Sequence, residues 1–184
     1  MAKKKNKFSL GFIVACVACL LAIVGFCMVF TQGFIYAENG GSMLGISVSG
    51  KVSYPGLGVV FGGTHNVSVT ASSSITGSST TSSSVDFAFN FVGCFAFVLA
   101  LLGGIAGLFG SKNKYVALCA VVLALVGTVM VFFTVSGYAA ANSTDNVKLD
   151  PNSYKWGAGL IIAIICFCVE TLGLCYNAFK ALKK

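Results

Sequence analysis

The chain has 184 residues, of which 57% are hydrophobic and only 9% charged, against about a quarter charged in soluble domains. So few charges cannot cover a soluble fold of this size, which excludes a soluble enzyme, a disordered chain and a nucleic-acid module. The formal charge of +7 comes from 12 lysines, with no arginine, against 5 acids, and its placement along the chain accounts for it without a polyanionic ligand.

Residues 1–7 form a basic N-terminus with Lys3, Lys4, Lys5 and Lys7. The apolar run that follows, 8–30, is longer than the roughly 20 helical residues that cross a bilayer core. It also exceeds the apolar stretch of a secretory signal, so it reads as a retained first transmembrane helix and not as a leader cleaved after Ala37. Residues 31–86 make a long loop. In it Ile46, Val48, Val52 and Tyr54, then Val67 and Val69, alternate with small polar residues, which predicts short antiparallel strands. Pro55, Gly56, Gly58, Gly62 and Gly63 mark turns between them. In the segment 70–84, 12 of 15 residues are Ser or Thr; this fits a flexible tether, a glycan-bearing stalk or a polar edge strand.

Three further apolar runs, 87–110, 115–138 and 154–179, predict three more transmembrane helices. A short connection, 111–114, joins the second to the third, and a short loop, 139–153, joins the third to the fourth. Residues 180–184 are a basic tail. Lys3, Lys4, Lys5, Lys7, Lys112, Lys114, Lys180, Lys183 and Lys184 all fall on one side, with no acid among them. Lys51, Lys148 and Lys155 fall on the other, with Glu38, Asp86, Asp145 and Asp150. The excess of lysine on cytoplasmic segments predicts that both termini are cytoplasmic and the long loop extracellular, in a multi-pass protein of the plasma membrane. Tyr36, Tyr115, Tyr138, Tyr154, Trp156 and Tyr176 lie near helix ends, where amphipathic rings favour the interface.

Every predicted helix carries small residues at alternating four- and three-residue spacing. The first has Gly11, Ala15, Ala18, Ala22 and Gly25; the second has Ala96, Ala100, Gly103, Gly107 and Gly110. The third has Ala117, Ala120, Ala124 and Gly127; the fourth has Gly159, Ala163, Cys166, Glu170, Gly173 and Asn177. Lipid gives no hydrophobic drive between helices, so close backbone approach supplies the packing energy. Gly103, Gly107, Ala163 and Gly173 are the expected packing positions. Heptad-like spacing predicts a left-handed bundle. The fold class expected is an all-α membrane protein: a four-transmembrane-helix left-handed bundle with a small β-rich extracellular cap.

Glu170 is the single acid within an apolar run. An ionised acid there is costly, so it is expected either to serve a proton- or cation-sensitive site, to link helices as a neutral donor to a hydroxyl such as Thr128, or to reach toward Lys180 and Lys183 at the interface. All eight cysteines (16, 19, 27, 94, 119, 166, 168 and 175) lie in the apolar runs, which leaves the loops without a disulfide framework. Cys16 and Cys19 have CxxC spacing near the depth of Cys166 and Cys168. That spacing is compatible with soft-metal ligation if the first and fourth helices are neighbours, but cysteines in a helix pack as small hydrophobes, and no metal is expected. His65 is the one histidine, and no nucleophile elbow, phosphate loop or dinucleotide fingerprint is present. No enzyme and no cofactor are expected. Asn66 and Asn142 head the sequons Asn66-Val67-Ser68 and Asn142-Ser143-Thr144 and are glycosylation acceptors in a eukaryotic setting.

The plan resembles the claudin and peripheral-myelin-protein group: four helices, inside termini, a long strand-bearing first loop and a short second one. The nearest echo of that group's loop motif is Gly56-Leu57-Gly58, in a loop without Trp or Cys. The resemblance implies a small sheet above a left-handed bundle, mediating contacts between neighbours. The function expected is non-catalytic assembly, adhesion or scaffolding in the bilayer, with copies of itself or another membrane protein as partner and no nucleic acid. The alternative is a channel or transporter subunit using Glu170.

Overall fold

The computed structural model describes residues 10–43, 46–73, 77–110, 113–144 and 147–183. Helix α1 (Leu10–Cys27) runs into one tight turn at Met28–Phe30. Strands β1 (Ile35–Met43) and β2 (Ile46–Tyr54) precede a short helix α2 (Gly56–Phe61). Strands β3 (Gly63–Ser73) and β4 (Gly77–Phe87) then lead into α3 (Phe91–Gly110). Helices α4 (Lys114–Phe132) and α5 (Thr134–Asn142) follow, then β5 (Tyr154–Trp156) and α6 (Ala158–Leu182). Lys3, Lys4, Lys5, Lys7, Lys112, Asp145 and Lys184, used above to predict orientation, lie outside the described residues.

Four helices are long and apolar enough to cross a bilayer: α1 with its terminal turn, α3, α4 and α6. Around the bundle α1 touches α3 and α6, and α4 closes the ring by touching the same two. Small side chains face inward, with Ala15, Ala22, Ala100, Ala120, Ala124 and Ala163 fully buried. Large ones face outward: Leu172 is 70% exposed, Phe109 63% and Leu20 61%. A water-soluble chain does not expose an apolar surface of that extent. This inversion of core and surface is what a hydrocarbon solvent allows.

The strands form one antiparallel sheet in the order β4-β3-β2-β1-β5. Val52 pairs with Val69, and these with Tyr54 and Val67 form the face that packs on the bundle. The alternation read in the sequence is therefore that of a half-buried sheet; the side chains of Ile46 and Val48 lie outside the described residues. Gly62 and Gly63, with φ of +73° and +91°, turn the chain from α2 into β3. A Cβ on Gly62 would also press the backbone at Phe87 and Phe89, 2.9 Å away.

Two features depart from the sequence expectation, and a third selects one of its alternatives. The sheet is larger than a cap from one loop, because residues 154–156, expected to begin the fourth helix, pair instead with Ile35–Ala37. Lys155 makes an ion pair with Glu38 across that junction, and α6 starts only at Ala158. The Ser/Thr-rich segment 70–84 contributes to β3 and β4, with β4 at the sheet edge. The helix expected over 115–138 is broken at Phe133, whose φ and ψ of −93° and 3° take it out of the helix.

That break is stabilised by Asn90. Its side chain is fully buried, and Nδ2 donates to the Thr134 carbonyl (2.9 Å) and the Val59 carbonyl (3.1 Å). Oδ1 accepts from the Gly93 amide (3.0 Å), an N-cap bond for α3. One amide thus ties α2, α3 and the α4–α5 break. Beside it Tyr54, Tyr138 and Tyr154 pack with ring centroids 5.4 to 5.9 Å apart, joining β2, α5 and β5.

Replacing Asn90 by Ala removes the cap of α3 and the two buried bonds to the Val59 and Thr134 carbonyls, at a cost on the order of 3 kcal/mol. Thermal unfolding in detergent should show a correspondingly lower midpoint; an unchanged midpoint would contradict the role given to this amide. Burial pushes the phenols of Tyr54 and Tyr154 above their ordinary value. The folded chain holds those protons more tightly than the unfolded chain. The stability they contribute is therefore full below about pH 10 and lost as the pH rises through their raised values. Unfolding midpoints followed by circular dichroism should fall in that alkaline range, and Tyr54→Phe should flatten the slope.

Candidate functional site

Glu170 lies where α1, α3 and α6 meet. It is fully buried, and neither carboxylate oxygen has a hydrogen-bond partner among the described residues. Room for it is made by Gly104 on α3. A Cβ there would sit 3.1 Å from Glu170 Oε1 and 3.4 Å from the Cys19 Cα, and would collide with the Ala22 methyl. The ionisable groups that face the carboxyl are Cys19 on α1 and Cys166, one turn earlier on α6.

The helix link expected of Glu170 is made by its neighbours. The Thr128 hydroxyl donates to the Ala124 carbonyl (2.7 Å), with Thr171 Oγ1 at 2.9 Å and the Phe167 carbonyl at 3.3 Å. Thr171, absent from the sequence reading, is thus the α6 residue that joins α4. Its position one residue after Glu170 was the available signal. Lys180 and Lys183 do not reach the carboxyl: Lys180 lies along Gly11, and Lys183 Nζ sits 4.3 Å over the Phe179 ring.

The packing positions divide. A Cβ on Gly103 would come within 2.7 Å of the Ala124 amide nitrogen, and one on Gly107 would overlap a Leu174 methyl. Gly110 against Ala117, and Gly127 against the Ala96 and Ala100 backbone, make equally close approaches. Ala163 is fully buried. Gly173 differs: its nearest neighbours would be Val14 Cγ1 at 3.6 Å and Ala18 Cβ at 3.7 Å, ordinary contact distances. It lies on the small-residue stripe without being used for close approach, a correction to the expectation drawn from spacing alone.

Asn66 is exposed on β3 opposite Ser84. Asn142 is engaged: its Oδ1 accepts from the Ala88 amide (2.9 Å) and its Nδ2 donates to the Tyr138 carbonyl (3.0 Å). A glycan on that nitrogen would compete with its bond to the Tyr138 carbonyl, while the Oδ1 bond to Ala88 uses the other atom of the amide. His65 is structural, with Nε2 3.0 Å from the Gly62 carbonyl and its ring against Phe87. The eight cysteines are free thiols, and among the described residues no three His, Cys, Asp or Glu converge on a metal position.

The second candidate site is β4. This strand is 11 residues long and borders the sheet. Every residue from Gly77 to Asp86 is exposed, and only Phe87 is buried. Exposed edges are ordinarily blunted by lysine, proline or a bulge. Residues 77–87 contain neither lysine nor proline, and their pairing with β3 runs unbroken from Gly63–Phe87 to Ser73–Gly77.

No known family matches the chain, and no curated protein is significantly similar to it.

Substitutions at the two unlike glycines separate their roles. Gly104→Ala should lower stability by about 2 kcal/mol through overpacking against Ala22 and Glu170, whereas Gly173→Ala should change it by less than about 0.5 kcal/mol. Glu170→Met, which removes unpaired polar atoms at similar volume, should raise stability by on the order of 1 kcal/mol. Denaturation midpoints in one detergent decide all three; a strong loss in Glu170→Met would reveal a partner for the carboxyl.

Proposed function

We propose that the protein is a non-catalytic, multi-pass membrane protein that assembles with a second copy through the free edge of β4. The observation that carries the reading is that long, unblunted strand edge, whose one charge is Asp86 near its end. A row of exposed backbone donors and acceptors is a template for pairing with another strand. The uninterrupted Ser and Thr hydroxyls from Ser78 to Ser84 are small and polar enough for two copies to approach without repulsion.

In this reading the termini are cytoplasmic, on the strength of lysine placement, and the sheet stands outside the plasma membrane. The seven-residue recurrence of small residues supports a left-handed bundle. The order β4-β3-β2-β1-β5 over four apolar helices supports kinship of plan with the claudin and peripheral-myelin-protein group, and with it a part in adhesion or scaffolding. Shared architecture is an argument by analogy and carries no residue roles.

The test is particle mass in lipid nanodiscs. Wild type should give a discrete oligomer, and Ser79→Lys with Thr81→Lys, which crowds like charges along the shared edge, should give the monomer. Any pairing of β4 with its own copy in full register places Ser82 beside its counterpart, so Ser82→Cys should form an interchain disulfide under oxidation. An oligomer that survives the lysine pair would sink the proposal.

A second reading is favoured by the unpartnered carboxyl of Glu170: a subunit that moves a proton or cation through the bundle. Buried ionisable groups in membrane spans mark such pathways. Flux in proteoliposomes lost on Glu170→Gln would support it, and flux equal in the two would discard it.

A further inference from the structure

Along most of their seam α1 and α6 are in close contact. A Cβ on Gly25 would press the Phe167 ring at 2.6 Å, and one on Gly11 would meet Asn177 Oδ1 at 2.8 Å. Between these two points the helices leave an open groove of about 170 Å³, lined wholly by apolar side chains that include Val14, Val17 and Ala18 on one wall and Val169 on the other. Gly173 forms part of the lining. At Gly25, Gly103, Gly107 and Gly127 a methyl group would collide, but at Gly173 it would fit. The missing side chain at 173 therefore opens a space and does not bring two backbones together.

One end of this groove carries a charge. Lys180 follows Gly173 by seven residues, two helical turns on the same face, or about 10.5 Å along α6. It is half-buried, and its stem lies over Gly11 of α1, at the α1–α6 seam. No acid among the described residues pairs with it; the ion pair they contain is Lys155 with Glu38. The sequence entering α1 at this end contains Lys3, Lys4, Lys5 and Lys7. An apolar slot at bilayer depth with a cation at its mouth matches a hydrocarbon tail carrying an anionic head.

We propose that the α1–α6 groove is a binding site for one anionic phospholipid, with an acyl chain along Gly173 and the headgroup phosphate on Lys180. The inference rests on the reading of α1 and α6 as membrane-spanning helices.

Native mass spectrometry of the full chain, delipidated in detergent and offered dioleoyl phosphatidylglycerol or dioleoyl phosphatidylcholine, tests it. Wild type should retain one phosphatidylglycerol at several-fold higher occupancy than phosphatidylcholine. Gly173→Leu, which fills the slot, should lose both lipids, and Lys180→Gln should keep binding while the preference falls below twofold. Because Gly173→Leu risks misfolding, Val169→Phe fills the groove from its exposed side, and thermal unfolding checks both. Equal retention of the two lipids by wild type, retention undiminished in the folded groove-filling variants, or a preference unchanged in Lys180→Gln would each overturn the proposal. Loss of an oligomer in place of a lipid on filling the groove would assign it to a second copy, and also overturns it. Flotation of the chain with liposomes separates the two levels: a chain that floats but retains no lipid loses this site alone, and one that does not float loses the membrane reading itself.

Discussion

The side-chain amide of Asn90 is the bond on which the relation of sheet to bundle depends. In a non-aqueous setting a backbone carbonyl released from a helix finds no water, and it must be met by the protein. The carbonyl of Thr134, the first residue of α5, lies just past the turn at Phe133 where α4 ends. Asn90 meets it, and with the same nitrogen meets Val59 in α2, while its oxygen starts α3. The helix that precedes β3, the helix that follows β4 and the helix that leads toward β5 therefore converge on one residue. A Cβ at Gly137 would lie 2.5 Å from its Oδ1, so that glycine belongs to the same arrangement.

From this point a single core runs through both layers. Phe34, at the entry to β1, packs on Phe97 of α3 (5.8 Å between centroids), and Phe97 packs edge-on against Phe167 of α6 (5.4 Å). The same buried cluster takes in Val59, Val60, Val67 and Phe87 beneath the sheet. Aromatic pairs in such geometry add on the order of 1 kcal/mol each beyond the area they bury. Toward the other end of the bundle the packing changes character. There Ala18, Ala120, Ala124 and Leu174 form a separate small cluster, and backbone proximity replaces aromatic bulk.

What could be read from the sequence followed the range of the forces concerned. The four apolar helices were legible because length and hydropathy are local properties, and the Val52–Tyr54 and Val67–Val69 alternation was legible because a pleat has a two-residue period. The break at Phe133 was hidden, since the group that stabilises it is 44 residues away. Strand β5 was hidden too. Tyr154-Lys155-Trp156 reads equally well as an interfacial helix start, and only pairing with Ile35–Ala37 decides otherwise. Glu170 stood out as a lone acid, but spacing alone did not show that Gly104 would shelter it or that Thr171, its neighbour, would make the hydroxyl link. Gly173 shared the periodicity of Gly103 and Gly107, and only the distances across the seam separate a glycine that lets helices touch from one that leaves a gap between them.

The two borders of the sheet are unequal: β4 offers 11 residues and β5 three. A copy that joins its own kind border to border uses the same surface on both molecules, and the contact is complete when two have met. The longer border is then used up on both sides, and the three-residue border is too short to extend the row on its own. Under the proposed β4 contact such a molecule would have a valence of one through its sheet, so the strand edge would yield pairs and halt. Any larger array in the bilayer must grow through a different surface, along the outward-facing walls of the helices.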